Sequence, residues 1–289
     1  MAKRSCAVHD GTFHADEVTA CALLVIFDQI DRNSIYRTRD PKILSSCEYV
    51  CDVGGVYDST KRRFDHHQVE YSGPLSSAGM VLLHLLNQKI ITQKLYDYLN
   101  RSLIMGIDAL DNGLVTPQVG HCSFSAVISN FVPVHHDVDV KTMEKAFFQA
   151  MDFVHSHLQR LLERFEYIFS CKGEVEKAMQ EGRDCLFFEK SIPWMDAFFE
   201  LGGEDHPALF VVMPTGDHWK LRGIPPSMRK RMQVRQPLPK RWAGLLENEL
   251  KKVSGIPGAI FCHKGRFISV WETKEDVMKA LEYVLKKGK

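Results

Sequence analysis

Histidines and carboxylates gather in four short stretches within the first 111 residues. They are VHDGTFHADE with His9, His14 and Asp16, YVCDVGG with Asp52, RRFDHHQ with Asp65, His66 and His67, and GIDALDNG with Asp108 and Asp111. Imidazole and carboxylate together, with no thiolate in the set, suit hard to borderline divalent ions such as Mn2+. Each stretch falls where an expected strand or helix gives way to a loop, the places where an α/β scaffold collects side chains along one edge of its sheet. The set reads as one divided metal site. Two ions that share one ligand and keep others apart clamp a water and phosphoryl oxygens between them, which is the chemistry of phosphoester hydrolysis.

Asp52 suits the shared position, because it ends an apolar strand and is followed by the flexible pair Gly54-Gly55; a turn-capping role is the alternative. If the chain folds back at Gly11, His9 and His14 reach one ion while Asp16 faces the other. Glu17 opens the next helix, where the dipole accounts for a carboxylate without catalysis. The triplet Asp65-His66-His67 would arise by chance about 0.04 times in a chain of this composition, so it is the sharpest signal. His66 is expected to bind the second ion, His67 to meet the phosphate or protonate the leaving group, and Asp65 to orient one of them. Asp108 and Asp111 lie three apart at a helix end. An acid there opposes the dipole and calls for a cation, which makes Asp108 a further ligand; Asp111 has the alternative of forming the DNG turn. Ser76, Ser77 and Gly79 at a helix start form either a second anion site or a simple cap. His135-His136-Asp137 pairs the same residue types, but its Pro-rich loop favours surface and capping roles.

The elements that must hold these groups follow from patterning. SCAVH (5–9), SIYRTR (34–39) and EYVCDV (48–53) read as strands, with a helix over roughly 17–28 and a Pro41-started turn between them, and RRF (62–64) as a further strand end. Strand, helix, strand in this order implies a parallel sheet with helical crossovers. Helices are expected over 76–86 and from a Thr92 cap to about 110. Apolar side chains at helical spacing over 142–180 give one or two long helices. DCLFFEK, HPALFVVMP, HWKLRGI and GAIFCHKGRFISV then alternate with turns as a β-rich unit, closed by a helix capped by Thr273. The expected organisation is a parallel-sheet catalytic domain over 1–140, joined by long helices (about 141–181) to a smaller α+β domain within 141–289.

Composition narrows the classes further. A hydrophobic fraction of 45% is that of a globular protein, and no apolar run approaches the length of a membrane span. The first residues, MAKRSCAVHD, lack the long apolar region of a secretory signal. Eight scattered cysteines without a CxxC pair argue against a zinc ribbon and fit buried thiols in a cytoplasmic protein. Net charge is only +1, yet the stretch 218–246 has no acid and eight basic residues, including Arg229, Lys230 and Arg231, so a local basic surface or a solvated loop is expected there.

GTFHADE, RTRDP, DVGGVYD, DHHQ, LSSAG, DALDNG and VSGIPGAIFCHKGRFI, in this order, resemble the motifs of the melanocyte-proliferating-gene (MYG) exonuclease family, a branch of the DHH phosphoesterase superfamily. The resemblance covers about residues 8–270. It implies His9, His14 and Asp52 around a first ion and Asp16, Asp52, His66 and Asp108 around a second. His14 stands where many superfamily members carry an aspartate, and Asp10 where this branch has an asparagine. The resemblance also implies a second domain that clamps substrate, with Gly255 and Gly258 letting the backbone approach a phosphate and His263, Lys264 and Arg266 as the nearest cations. The expected activity is Mn2+-dependent 3′-to-5′ hydrolysis of single-stranded RNA or short oligonucleotides. Hydrolysis of a small phosphate compound such as pyrophosphate or a nucleotide is the alternative, and a nucleic-acid-binding protein braced by structural metals a third reading.

Overall fold

The computed structural model describes residues 2–135 and 137–287. The chain forms two compact units, Met1–Phe165 and Glu166–Lys289. The first is α/β, as patterning predicts. Its first strand β1 (Ala2–Val8) is followed by helix α1 (Ala15–Ile26), strand β2 (Ile35–Arg37), helix α2 (Pro41–Ser46), strand β3 (Cys47–Cys51), the short strands β4 (Tyr57–Asp58) and β5 (Arg63–Phe64) and helix α3 (Ser77–Asn87). The sheet order is β2-β1-β3-β5-β4. β1 pairs in parallel with β2 and β3, β3 pairs in parallel with β5, and only β4 runs antiparallel.

Alternation along the strands separates two faces. Cys6, Val8, Tyr49, Cys51 and Phe64 join the main core with residues of α1 and α3. Ala7, Cys47, Val50 and Val53 face the other way and meet Leu44 of α2. That short helix stands where a turn was expected: Pro41 occupies its first position and Asp40 accepts from the Lys42 amide at 2.8 Å, so a capped start outweighs the turn signal. All eight cysteines are free; six are buried and only Cys122 is exposed, so sulfur here is core material.

The helix expected from Thr92 to about 110 is present but interrupted. Thr92 caps α4 (Gln93–Leu99), a π-helical turn fills Asn100–Ile104, and α5 (Met105–Asp111) continues to the predicted end. After α6 (Phe124–Ser129) comes the loop containing the second His-His-Asp triplet. His135 and Asp137 are exposed, His136 lies outside the described residues, and Asp139 caps the next helix by accepting from the Thr142 amide. That helix, α7 (Val140–Ser170), is not simply a connector. Phe147, Ala150, Met151, Val154 and Leu158 are buried in the first core, each large side chain there contributing about 1.5–3 kcal/mol.

The second unit is α+β. After α8 (Lys172–Glu181) come β6 (Cys185–Phe187), α9 (Trp194–Glu200), β7 (Phe210–Thr215), β8 (His218–Gly223), α10 (Glu247–Ser254), β9 (Ala259–Cys262), β10 (Ile268–Trp271) and α11 (Lys274–Lys287). The sheet order is β6-β7-β8-β10-β9, antiparallel except for β6 with β7. Phe210, Val212 and Leu221 pack with α10 and α11, while Leu186, Val211 and Met213 pack with α8 and α9. Thr273 caps α11 as expected. No helix among the described residues is long and apolar enough to cross a membrane.

Candidate metal centre

The parallel strands of the first unit end at one edge, and the predicted histidines and acids follow directly from those ends. β1 delivers His9, β3 delivers Asp52, and β5 delivers Asp65-His66-His67. The backbone at Asp52 is left-handed (φ 56°), a conformation that Asp tolerates better than most residues, and Gly54 and Gly55 continue the turn at φ 98° and 67°. Asp52 sits in the middle of the resulting group. Its Oδ2 is 3.3 Å from His9 Nε2, and its Oδ1 is 3.6 Å from His66 Nε2 and 3.3 Å from His67 Nδ1.

Around this centre three sets of side chains converge closely enough to hold an ion: His9, His14, Glu17 and Asp52; Asp52, His66 and His67; and Asp16, His66 and Asp111. Two atoms mark the place. Asp52 Oδ1 and His66 Nε2 are buried and have no hydrogen-bond partner of adequate geometry, although carboxylate oxygens of Asp111, Asp52 and Asp16 lie 3.0, 3.6 and 3.9 Å from that nitrogen. Buried polar atoms are rarely left unpaired. An acceptor oxygen and a ring nitrogen aimed at one spot and ringed by further acids suit a divalent cation. The donor set, nitrogen and carboxylate oxygen, fits one as well.

The neighbours of the ligands fix their orientation. His66 Nδ1 lies 3.0 Å from Asn112 Oδ1, and the Asn112 amide is itself fixed by donating to the carbonyls of Pro74 and Asp108. Nδ1–H therefore donates to Asn112, which leaves Nε2 to face the acids. Asp65 accepts from the Gly55 amide at 2.6 Å and sits 2.8 Å from His67 Nδ1, so it orients His67, whose side chain is 64% exposed.

Electrostatics follow the crowding. Burial raises the Asp16 carboxyl well above the usual range, helped by the nearby charges of Asp52 and Asp111. Burial also opposes ionisation of Asp52, but the histidines His66 and His9 outweigh it and hold its pKa at about 2. Burial works against protonated His9 and His66 too, yet Asp52 and Glu17 lift the first to about 9, and Asp111 and Asp52 lift the second to about 11.

Several predicted residues sit elsewhere. Asp108 is engaged at the start of α3: its Oδ1 accepts from the Ser76 amide and hydroxyl at 3.1 and 2.7 Å and from the Gly79 amide at 3.2 Å. Asp111 takes the place beside His66. Ser76, Ser77 and Gly79 do form an anion site at the start of α3, but the chain's own carboxylates fill it. Asp16 accepts from Ser76 Oγ and from the Ser77 and Ala78 amides at 2.5, 2.9 and 2.6 Å, and all these groups are buried. The helix dipole and free amides explain why two buried acids lodge there. Glu17, read as a dipole residue, is fully buried with Oε1 3.0 Å from His9 Nε2, while accepting from the His14 amide. Arg39, in the RTRDP segment, lines a cavity of about 500 Å³ with His9, His14, Asp52 and His67.

In the second unit Gly255, left-handed at φ 74°, ends α10 by donating to the Lys251 carbonyl. Gly258 lies against Asp276, whose carboxylate an added Cβ would strike. His263, Lys264 and Arg266 form the β9–β10 turn, closed by the Arg266 amide on the His263 carbonyl at 2.8 Å. The basic 218–246 stretch is not one surface. Arg235 is tied to the carbonyls of Gly203, His206 and Ala208, and Arg231 pairs with Asp196, whereas Arg229 and Lys230 are exposed.

Fold and site together define an α/β protein with a histidine–carboxylate centre for divalent ions at the carboxyl edge of a parallel sheet. The sequence model of the MYG1 exonuclease family, described as an uncharacterised protein family (UPF0160), matches residues 5–285, and the chain belongs to that family. The MYG1 protein of Chlamydia pneumoniae is 51% identical over 282 residues, covering 98% of this chain and 97% of that one. MYG1 exonuclease of Homo sapiens is 32% identical over 320 residues, covering 96% of this chain and 85% of that one. A crystal structure of RecJ from Thermus thermophilus in complex with Mn2+ aligns with 98% of this chain and 52% of that one, at 12% identity and a TM-score of 0.28, too slight a likeness to bear on the site.

Proposed function

We propose that this chain is a divalent-metal-dependent nuclease that hydrolyses phosphodiester bonds in single-stranded RNA or short oligonucleotides, trimming from the 3′ end, with Mn2+ as the working ion. The observation that carries this reading is the unpaired couple of Asp52 Oδ1 and His66 Nε2 inside a ring of acids. His9, His14, Glu17 and Asp52 would hold one ion, and Asp16, His66 and Asp111 the other, with Asp52, 3.6 Å from His66, shared between them. Asp108 supports the second set from behind, as a buried acid that anchors the start of α3. Bound there, two such ions would supply activation of a water and charge neutralisation of the phosphate oxygens.

The remaining steps belong to the chain's own side chains. Asp65 holds His67, and the exposed imidazole donates a proton to the departing oxygen. Arg39 is the cation on the rim of the polar cavity. Its half-exposed pair with Asp10 at 3.3 Å is weak enough to give way to a phosphate. His263, Lys264 and Arg266, together in the β9–β10 turn of the second unit, keep the substrate-binding role that the family resemblance implies. The human relative's name supports nuclease chemistry.

Incubating the purified protein with Mn2+ and oligoribonucleotides labelled at either end tests the reading. Stepwise shortening of the 5′-labelled strand is expected. Unchanged length, with release of phosphate from pyrophosphate instead, would move the substrate to small phosphate compounds.

A further inference from the structure

Two cavities meet at the metal centre. The polar one, with Arg39, His67 and the Gly54-Gly55 turn, suits a phosphoryl group. The other, of about 640 Å³, lies on the side of α5 and α6 and shares His14 and Asp111 with the centre. Its walls are of a different kind. Leu110, Val115 and Ala126 give apolar surface, His121 gives a planar ring, and Gln118 and Ser125 add hydrogen-bonding groups. None of these has a part in the hydrolytic machinery described above.

We infer that this second cavity is a nucleoside subsite, taking the base and sugar next to the phosphate held at the metal centre. The inference rests on the hydrolase reading and narrows its substrate. A phosphodiester carries two substituents on phosphorus, and this cavity opens directly beside the centre, sharing His14 and Asp111 with it. The volume lies within the roughly 300–1,000 Å³ of pockets that enclose one small molecule. A base has apolar faces that pack on aliphatic or ring surface and a polar edge that hydrogen-bonds in its plane. Pyrophosphate, hydrated and charged throughout, would gain nothing from Leu110, Val115 and Ala126. Sequence-tolerant contacts of this kind suit trimming without base preference.

Calorimetric titration of the full chain in MnCl2, with uridine or adenosine 5′-monophosphate and with inorganic phosphate, tests the assignment. In wild type both nucleotides are expected to bind at least about tenfold more tightly than phosphate, the scale of one stacked base. Ala126→Trp, which fills the cavity from an exposed position, should remove that advantage and leave phosphate binding unchanged. Val115→Trp on the opposite stretch of lining repeats the test should the first variant lose its circular-dichroism spectrum. Equal affinity of wild type for nucleotide and phosphate would overturn the inference, as would unchanged nucleotide binding in a folded variant or a parallel fall in phosphate binding. Tight nucleotide binding by a wild-type protein that cleaves no oligonucleotide would instead refute the hydrolase reading alone.

Discussion

Asp52→Asn is the most instructive single change, because the structure separates its effect on the fold from its effect on the ions. The substitution is nearly isosteric, and asparagine accepts the left-handed backbone at this position as readily as aspartate. In the metal-free protein Asp52 is held at about 2 against an ordinary 3.8. Its ionised form therefore adds stability above the ordinary carboxyl range, and that contribution disappears as pH falls through about 2. At pH 7 the shift corresponds to about 2 kcal/mol. Relief of the repulsion that Asp52 exerts on Asp16 offsets part of this. The expected net loss is about 1–2 kcal/mol, which at ~2–4 °C per kcal/mol lowers Tm by roughly 2–8 °C. Mn2+ at a hundred times its Kd should stabilise the wild type by about 2.7 kcal/mol, a rise of roughly 5–11 °C. Asp52 takes part in two of the three ion-holding groups, so the variant should show little or no rise at that concentration and no cleavage of a labelled oligoribonucleotide. Differential scanning fluorimetry over a Mn2+ series, with cleavage measured alongside, reads both effects. A variant whose Tm climbs with Mn2+ as the wild type's does would refute the central place given to Asp52.

The two acids of α5 should separate in their response to Mn2+: Asp111→Asn, which also takes from His66 the acid that most favours its proton, lowers metal-free Tm and loses much of the rise with Mn2+, while Asp108→Asn, which deprives the Ser76 and Gly79 amides of their charged acceptor, lowers metal-free Tm and keeps that rise. Gly79→Ala, a change that ordinarily favours a helix by about 1 kcal/mol, should here destabilise the protein by roughly 1–3 kcal/mol in urea unfolding, since the new methyl strikes the Asp108 carboxylate. His66, lifted to about 11, holds a proton at pH 7 that a ligand imidazole must give up. Mn2+ binding should therefore release at least one proton and tighten as pH rises. Calorimetry in buffers of different ionisation enthalpy detects the release, and heats independent of buffer would contradict it.

Much of this centre is legible in the sequence because strands end where the polar residues begin. VHD, YVCD and RRFDHH each switch from apolar to ligand-type residues at a strand terminus, and a parallel sheet places such termini together. What escapes the sequence depends on rotation and on packing between distant segments. The phase of the helix starting at Thr92 cannot be carried through to Asp108 and Asp111, because the π-helical turn at Asn100–Ile104 alters the register, and with it which acid faces His66. Glu17 had a sufficient local explanation at the start of α1, yet its Oε1 also lies 3.0 Å from His9 at the end of β1, a contact that only the fold of the intervening turn reveals. Asn112 reads as part of a DNG turn and is also the residue that orients His66. The start of α3 is an anion site in sequence and in structure alike; only the packing reveals that Asp16 and Asp108 are its anions.

The most direct test of the account is anomalous scattering from crystals grown with Mn2+. Two peaks are expected within coordination distance of Asp52, one beside His9, His14 and Glu17 and one beside Asp16, His66 and Asp111. A single peak away from Asp52, or none in saturating Mn2+, would contradict it.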